Sequence, residues 1–168
     1  MSQNAIVPTA AVILGTALAA AIDLRTRLVP NVVTASLAVA GVATAFTAFG
    51  RVGFVASLLG LGLGFALMLP GHLFGATGAG DVKLFAAVGA CLGPAGILSA
   101  FLYTAIAGGI LAVVIAIHRG HARHVIAGAA RLIAIGAVNR DAVEHPSANN
   151  RFAYAPAIAI GAAVAALA

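Results

Sequence analysis

Long apolar runs, each closed by a charge, a glycine or a proline, limit what this chain can become. The first is AIVPTAAVILGTALAAAI, from Ala5 to Ile22, followed at once by Asp23. A third, VGFVASLLGLGLGFALMLPGHLF, runs from Val52 to Phe74. A helix rises about 1.5 Å per residue, so roughly 20 apolar residues cross the hydrocarbon of a bilayer. With 62% hydrophobic and only 8% charged residues, the chain cannot cover a water-facing surface. An all-α, polytopic membrane protein is the fold class these runs predict.

Further runs lie at about Val32 to Phe49, Val82 to Leu92, Ala95 to Ile117 and Phe152 to Ala168. The expectation is about six transmembrane helices in a single domain spanning 1–168, with a short fourth span ending at Gly93-Pro94. Between the fifth and last runs, Val125, Ile126, Ala129, Leu132 and Ile133 recur at helical spacing, with Arg123 and Arg131 among them. That pattern predicts an interfacial helix before the last span.

Basic residues orient the bundle. Of the nine Lys and Arg, only Arg51 falls on the side opposite the rest. The crowded side is therefore read as cytoplasmic. The net charge of +5 belongs to these loops. Without an aromatic-interleaved basic patch it does not point to nucleic acid. The stretch TALAAA resembles a signal-peptide cleavage region, but no basic residue precedes the run, so a retained span is expected.

Against this background two carboxylates stand out. Asp23 closes the first run and Asp81 opens the fourth, which places both on the cytoplasmic side. A charge at the centre of the hydrocarbon costs roughly 2.5–3.5 kcal/mol on insertion scales, so an aspartate at such a boundary asks for a reason. A bland reason exists: Asp23 pairs with Arg25 or Arg27, and Asp81 pairs with Lys83 or caps a helix. The alternative is that the bundle brings the two together. Close carboxylates in a poorly solvated site do not both ionise easily, and the pair then holds one proton. Such a pair hydrolyses amides: one member takes a proton from water and the other gives one to the carbonyl. Base and acid are not assigned within it. The other acidic residues, Asp141 and Glu144, lie in a polar loop. Gly78 and Gly80 beside Asp81 are expected to relax the backbone and to admit a substrate strand.

The remaining reactive side chains carry less. Cys91 is the one cysteine, so neither an intrachain disulfide nor a four-cysteine zinc cluster can form, and a small buried hydrophobe is expected. His118, His121 and His124 are read as interfacial, as is His72, and no metal or other cofactor is expected. Ser36, Ser57 and Ser99 have no evident base nearby. The glycine pairs Gly60/Gly64, Gly71/Gly75 and Gly89/Gly93 suit close helix packing.

GAGDVKL at Gly78 to Leu84 and DLRTRLVPN at Asp23 to Asn31 together resemble the type IV prepilin peptidases, polytopic aspartic proteases of the GxGD kind. Asp23, Pro30 and Asn31 match the first motif; Gly78, Gly80, Asp81 and Lys83 match the second. The tail RFAYAPAIAIG resembles the last span of that family, with Ala153 where a proline commonly precedes the tyrosine. The resemblance covers nearly the whole chain and looks closest to the short form found with Flp/Tad pilus systems. Longer members carry paired CxxC zinc motifs and also methylate; this chain lacks both the cysteines and the extension, so peptidase activity alone is expected.

What the resemblance implies is specific. Asp23 and Asp81 would be the catalytic pair. Arg27, Pro30, Asn31, Gly78, Gly80 and Lys83 would shape the site. Substrates would be prepilins and pseudopilins, cut after a short basic leader at the cytoplasmic face of a bacterial inner membrane. A presenilin-like enzyme is the nearest rival, but Ile22 rather than a tyrosine precedes Asp23. A non-catalytic proton-coupled transporter or assembly factor is the rival from another class.

Overall fold

The computed structural model describes residues 3–47, 52–75, 77–118 and 154–168. All regular structure among them is helical: α1 (Gln3–Thr26), α2 (Asn31–Thr44), α3 (Phe54–Leu73), α4 (Ala79–His118) and α5 (Ala155–Leu167). The expected interfacial helix lies outside the described residues, as do His121 and His124. The chain forms two compact units, Met1–Gly108 with Arg151–Ala168, and Gly109–Asn150. Of the second, the described part is the end of α4; the first holds everything discussed below.

Three helices are long and apolar enough to cross a membrane: α1 from Ile6, α3, and α4 as far as Ile115. At 14 and 13 residues, α2 and α5 are shorter apolar helices. About six crossings therefore stand as a count of apolar runs, and three of them as helices of spanning length.

The expected break at Gly93-Pro94 is present inside α4. Gly93 has φ 71° and ψ −176°, which is not helical. A positive φ suits glycine because it has no Cβ to clash. The chain doubles back there. Phe85 and Phe101 would be about 24 Å apart along a straight helix. Their ring centroids are 6.1 Å apart, edge to face. The short fourth run and the start of the fifth run are thus two stretches of α4 folded against each other.

The stretch of α4 before the break is the centre of the first unit. From Val82 to Leu92 only Lys83 is exposed. Being apolar on nearly every side, this stretch needs neighbours on nearly every side. Glycines let them come close. A Cβ on Gly60 of α3 would collide with the backbone of Gly89 and Gly93, and one on Gly64 would lie 2.7 Å from the Phe85 carbonyl oxygen. On α2, a Cβ at Gly41 would lie 2.9 Å from the Cys91 backbone nitrogen. Two of the three glycine pairs expected to pack helices do so; Gly71 instead faces Thr77, and Gly75 ends α3 at φ 75° with open space around it. The Ser57 hydroxyl donates to the Ala90 carbonyl at 2.7 Å, which fixes α3 to this centre. Cys91 is buried there, as expected, and its thiol donates to the Leu37 carbonyl at 3.7 Å.

Around this centre α1 packs on α2 and α5. The Thr9 hydroxyl donates to the Ala166 carbonyl at 3.4 Å, at one end of the α1–α5 contact. Thr104, from the second stretch of α4, meets Gly161 of α5 so closely that no Cβ fits. These contacts hold α5 against both α1 and α4.

Candidate active site

Asp81 sits in the first turn of α4, and its surroundings are local. The Gly78 N–H, just ahead of the helix, donates to Asp81 Oδ2 at 3.0 Å. In return the Asp81 and Val82 N–H groups donate to the Gly78 carbonyl at 3.1 and 3.3 Å. A carboxylate reaching back to the start of its own helix satisfies a donor the helix leaves free, and it suits the positive end of the helix dipole. The loop ahead is fixed to α3: the Thr77 N–H donates to the Gly71 carbonyl at 3.2 Å, and His72 Nδ1 lies 3.1 Å from the Thr77 carbonyl. Capping thus accounts for one oxygen of Asp81. The other, Oδ1, is buried without a hydrogen-bond partner.

Asp23 is held quite differently. It lies in the last turn of α1, and the N–H of Ala155, at the start of α5, donates to its carboxylate. Here too one oxygen, Oδ2, is buried without a partner. Both side chains are 5% exposed. A buried acceptor left without a partner costs about 1–3 kcal/mol, and more when charged. The two carboxylates are near enough for the charge of Asp23 to act on Asp81. The bundle brings together two carboxylates that are far apart in sequence, each anchored by one oxygen at a helix start.

The residues around the pair tie the two segments together. Arg27 ends α1 at φ 54°, and its N–H donates to the Asp23 carbonyl at 2.7 Å. That is the left-handed helix stop usually taken by glycine. A side chain in this conformation costs about 1 kcal/mol or more. Pro30 precedes α2 at φ −65°, ψ 134°, and its carbonyl accepts from the Val33 N–H at 3.1 Å. Proline's fixed φ suits this position. Between Arg27 and Pro30 the chain passes Val29, which presses on the first turn of α4: a Cβ on Gly80 would lie 2.9 Å from Val29 Cβ. Lys83 turns away from Asp81 and donates to Asn31 Oδ1 at 3.0 Å. The Asp23 segment and the Asp81 segment are thereby joined by one close backbone contact and one hydrogen bond.

The glycines do other work than expected. Among the described residues the glycines with positive φ are Gly75 and Gly93, so neither Gly78 nor Gly80 is there for an unusual backbone conformation. At Gly80 the reason is room for Val29. A Cβ on Gly78 would lie 3.2 Å from Asp81 Oδ2, crowding the cap. Ala155 was not singled out from the sequence as a partner of Asp23. The signal available was weak: Pro156 marks a helix start, but nothing local says which carboxylate that start would meet. Among the described residues no three His, Cys, Asp or Glu side chains come together as a metal site.

Such an arrangement leaves one oxygen of each carboxylate without a protein partner, where a proton can be taken up or released. A family model described as the type IV leader peptidase family matches residues 10–113, more than half of the 168 residues and including both aspartates. No curated protein and no solved structure matches. The chain belongs to the type IV leader peptidase family.

Proposed function

We propose that this chain is a membrane-embedded aspartic endopeptidase. One observation carries the reading: two carboxylates near enough for the charge of one to act on the other each have one oxygen held by a backbone N–H and one buried without a partner. The held oxygens fix orientation. The unpartnered ones are available to a water molecule and to a scissile carbonyl between them. One carboxylate takes a proton from the water as its oxygen attacks the carbonyl carbon. The other, protonated, gives its proton to the carbonyl oxygen. When the tetrahedral intermediate collapses, the carboxyl that took the water proton gives it to the leaving amide nitrogen, and the hydroxyl formed from the carbonyl returns its proton to the other carboxylate, so the products are an amine and a carboxylic acid and the pair keeps one shared proton. Either aspartate can hold that proton first, because the titration belongs to the pair.

The substrate would be a type IV prepilin or pseudopilin of the Flp type, in agreement with the leader-peptidase family. Its apolar segment would remain in the bilayer while the basic leader is removed at the cytoplasmic face of a bacterial inner membrane. The basic loops support this orientation. The 168 residues hold one cysteine and hence no paired CxxC zinc motifs, so we read the whole chain as a single peptidase domain without methyltransferase activity.

Co-expression with a prepilin tests the reading. Wild-type enzyme should convert the precursor to the shorter mature form. Asp23→Asn and Asp81→Asn should each leave full-length precursor while the enzyme still reaches the membrane. Cleavage by either variant would remove the pair from the chemistry. A transporter or assembly factor predicts no cleavage by the wild type.

A further inference from the structure

Helix α3 serves as a ruler for the depth of the pair. Its 20 residues, Phe54–Leu73, hold no Lys, Arg, Asp or Glu. At about 1.5 Å per residue they make roughly 30 Å, the thickness of a bilayer's hydrocarbon. Two contacts give the level of Asp81 along it. Gly64 meets the Phe85 carbonyl, and Gly71 meets Thr77. Asp81 lies midway between Phe85 and Thr77 in sequence, so it stands level with the middle of the Gly64–Gly71 stretch, near Leu67 and Met68. α3 therefore runs past the pair to Leu73 by about 8 Å. Its end is apolar and uncovered: Leu73 is 73% and Phe74 56% exposed. Across the bundle, Leu24 and Leu28, which follow Asp23, and Val32 at the start of α2 are 66%, 68% and 75% exposed.

In the other direction the bundle stops early. From the level of the pair α2 runs only 14 residues and α5 only 13, and α4 reverses at Gly93. Each ends about 18–20 Å away. The far end of α3 is at the same level, since Ser57 donates to the Ala90 carbonyl and the Phe46 and Phe54 ring centroids are 4.3 Å apart. α1 continues beyond this level from Thr9, which meets Ala166, to the polar Gln3. A pair at the hydrocarbon boundary would leave three segments about 10 Å short of the opposite boundary. A pair set inward by the 8 Å that α3 extends past it brings both ends of the bundle to the boundaries.

We infer that the aspartate pair lies inside the leaflet at its own end of the bundle, read above as the cytoplasmic one, about 8 Å below the hydrocarbon boundary and ringed by lipid acyl chains on Leu24, Leu28, Val32, Leu73 and Phe74. What this means for a substrate rests on the aspartic-peptidase reading above. The carboxylates, 5% exposed, are screened from the lipid by the bundle itself. Arg25 and Arg27 are long enough to carry their charges past the apolar ring to the headgroups. A precursor's scissile bond must then be drawn below the headgroups, with about two extended residues of its leader side crossing the same depth.

Spin labels test the depth. Full-length protein carrying Cys91→Ala is labelled at Leu73→Cys, Leu28→Cys or Val39→Cys and placed in vesicles of monounsaturated 18-carbon phosphatidylcholine and phosphatidylglycerol. Val39, 67% exposed midway along α2, is the hydrocarbon reference. The labels at 28 and 73 should match it, each severalfold more accessible to oxygen than to a water-soluble nickel chelate. Should Cys91→Ala fail to fold, the native thiol can stay, since it is buried away from the label. Accessibility to the chelate above that to oxygen at either position overturns the inference and puts the pair at the water face. Cleavage of a precursor in the same vesicles separates the two ideas. Lipid-facing labels without cleavage by the unlabelled wild type leave the depth standing and remove the peptidase; cleavage with chelate-accessible labels does the reverse.

Discussion

Asp81 and Asp23 do similar things by unlike means. Asp81 is anchored by Gly78, three residues before it, at the start of its own helix. Asp23 is anchored by Ala155, at the start of a helix from the other end of the chain. Each anchor is a backbone N–H that a helix leaves free in its first turn. One is paid for locally as α4 forms; the other exists only after α1 and α5 have packed. The Asp81 half should therefore tolerate changes elsewhere in the bundle, whereas the Asp23 half depends on every contact that seats α5.

The largest expected effect probes whether the two halves act as one. Asp23→Asn and Asp81→Asn should each reduce cleavage by at least about 10³-fold, within the range of acid–base catalysis. The double variant should be no worse than either single one, as for residues that act as a unit. Unequal losses would mean that one half works alone. Wild-type rate against pH should be bell-shaped, because a pair sharing one proton is idle when both members are protonated and idle when both are ionised. A rate that stays flat on the acid side would count against the shared proton.

Smaller effects should follow from disturbing the joint between the halves. Gly80→Val forces Val29, and with it the turn after Asp23, away from α4; cleavage should fall about 10- to 100-fold with the protein still in the membrane. Gly78→Ala crowds only the local cap and should cost less than about tenfold. If Gly78→Ala proved the more damaging, the Asp81 half would be the fragile one. Lys83→Met and Asn31→Ala each remove the same exposed hydrogen bond, worth about 0.5–1.5 kcal/mol, so a two- to tenfold loss is expected, and the double variant should add little. Cys91→Ala should cleave at the wild-type rate, since the thiol packs against α2 away from the pair; loss of cleavage there would place chemistry where only packing is described.

Much of the fold was legible because apolar runs and their stops are local. The second run begins at α2 and the third at α3 within about two residues of the expected places, and the glycine before Pro94 marks the turn in α4. The four-residue spacing of glycines in the third and fourth runs pointed to close helix packing, and the structure shows that the two pack on each other. Less legible was which short apolar runs are long enough as helices to cross a membrane, since α2 stops at Thr44 where the apolar sequence continues. At Gly80 the residue was flagged and the cause misjudged: the need for a missing Cβ comes from Val29, on a different segment.

The amino-acid order by itself determined a membrane chain with two aspartates at helix ends and the family pattern around them. It did so because helix stops, caps and hydrophobicity act over a few residues. Only the tertiary structure decided that Asp23 would meet the start of α5, that Lys83 would reach Asn31, and that the Tyr154 ring would rest on Gly108. Those meetings depend on how closely helices approach. That closeness is set where glycine backbones touch, by excluded volume between segments that no local spacing in the sequence can report.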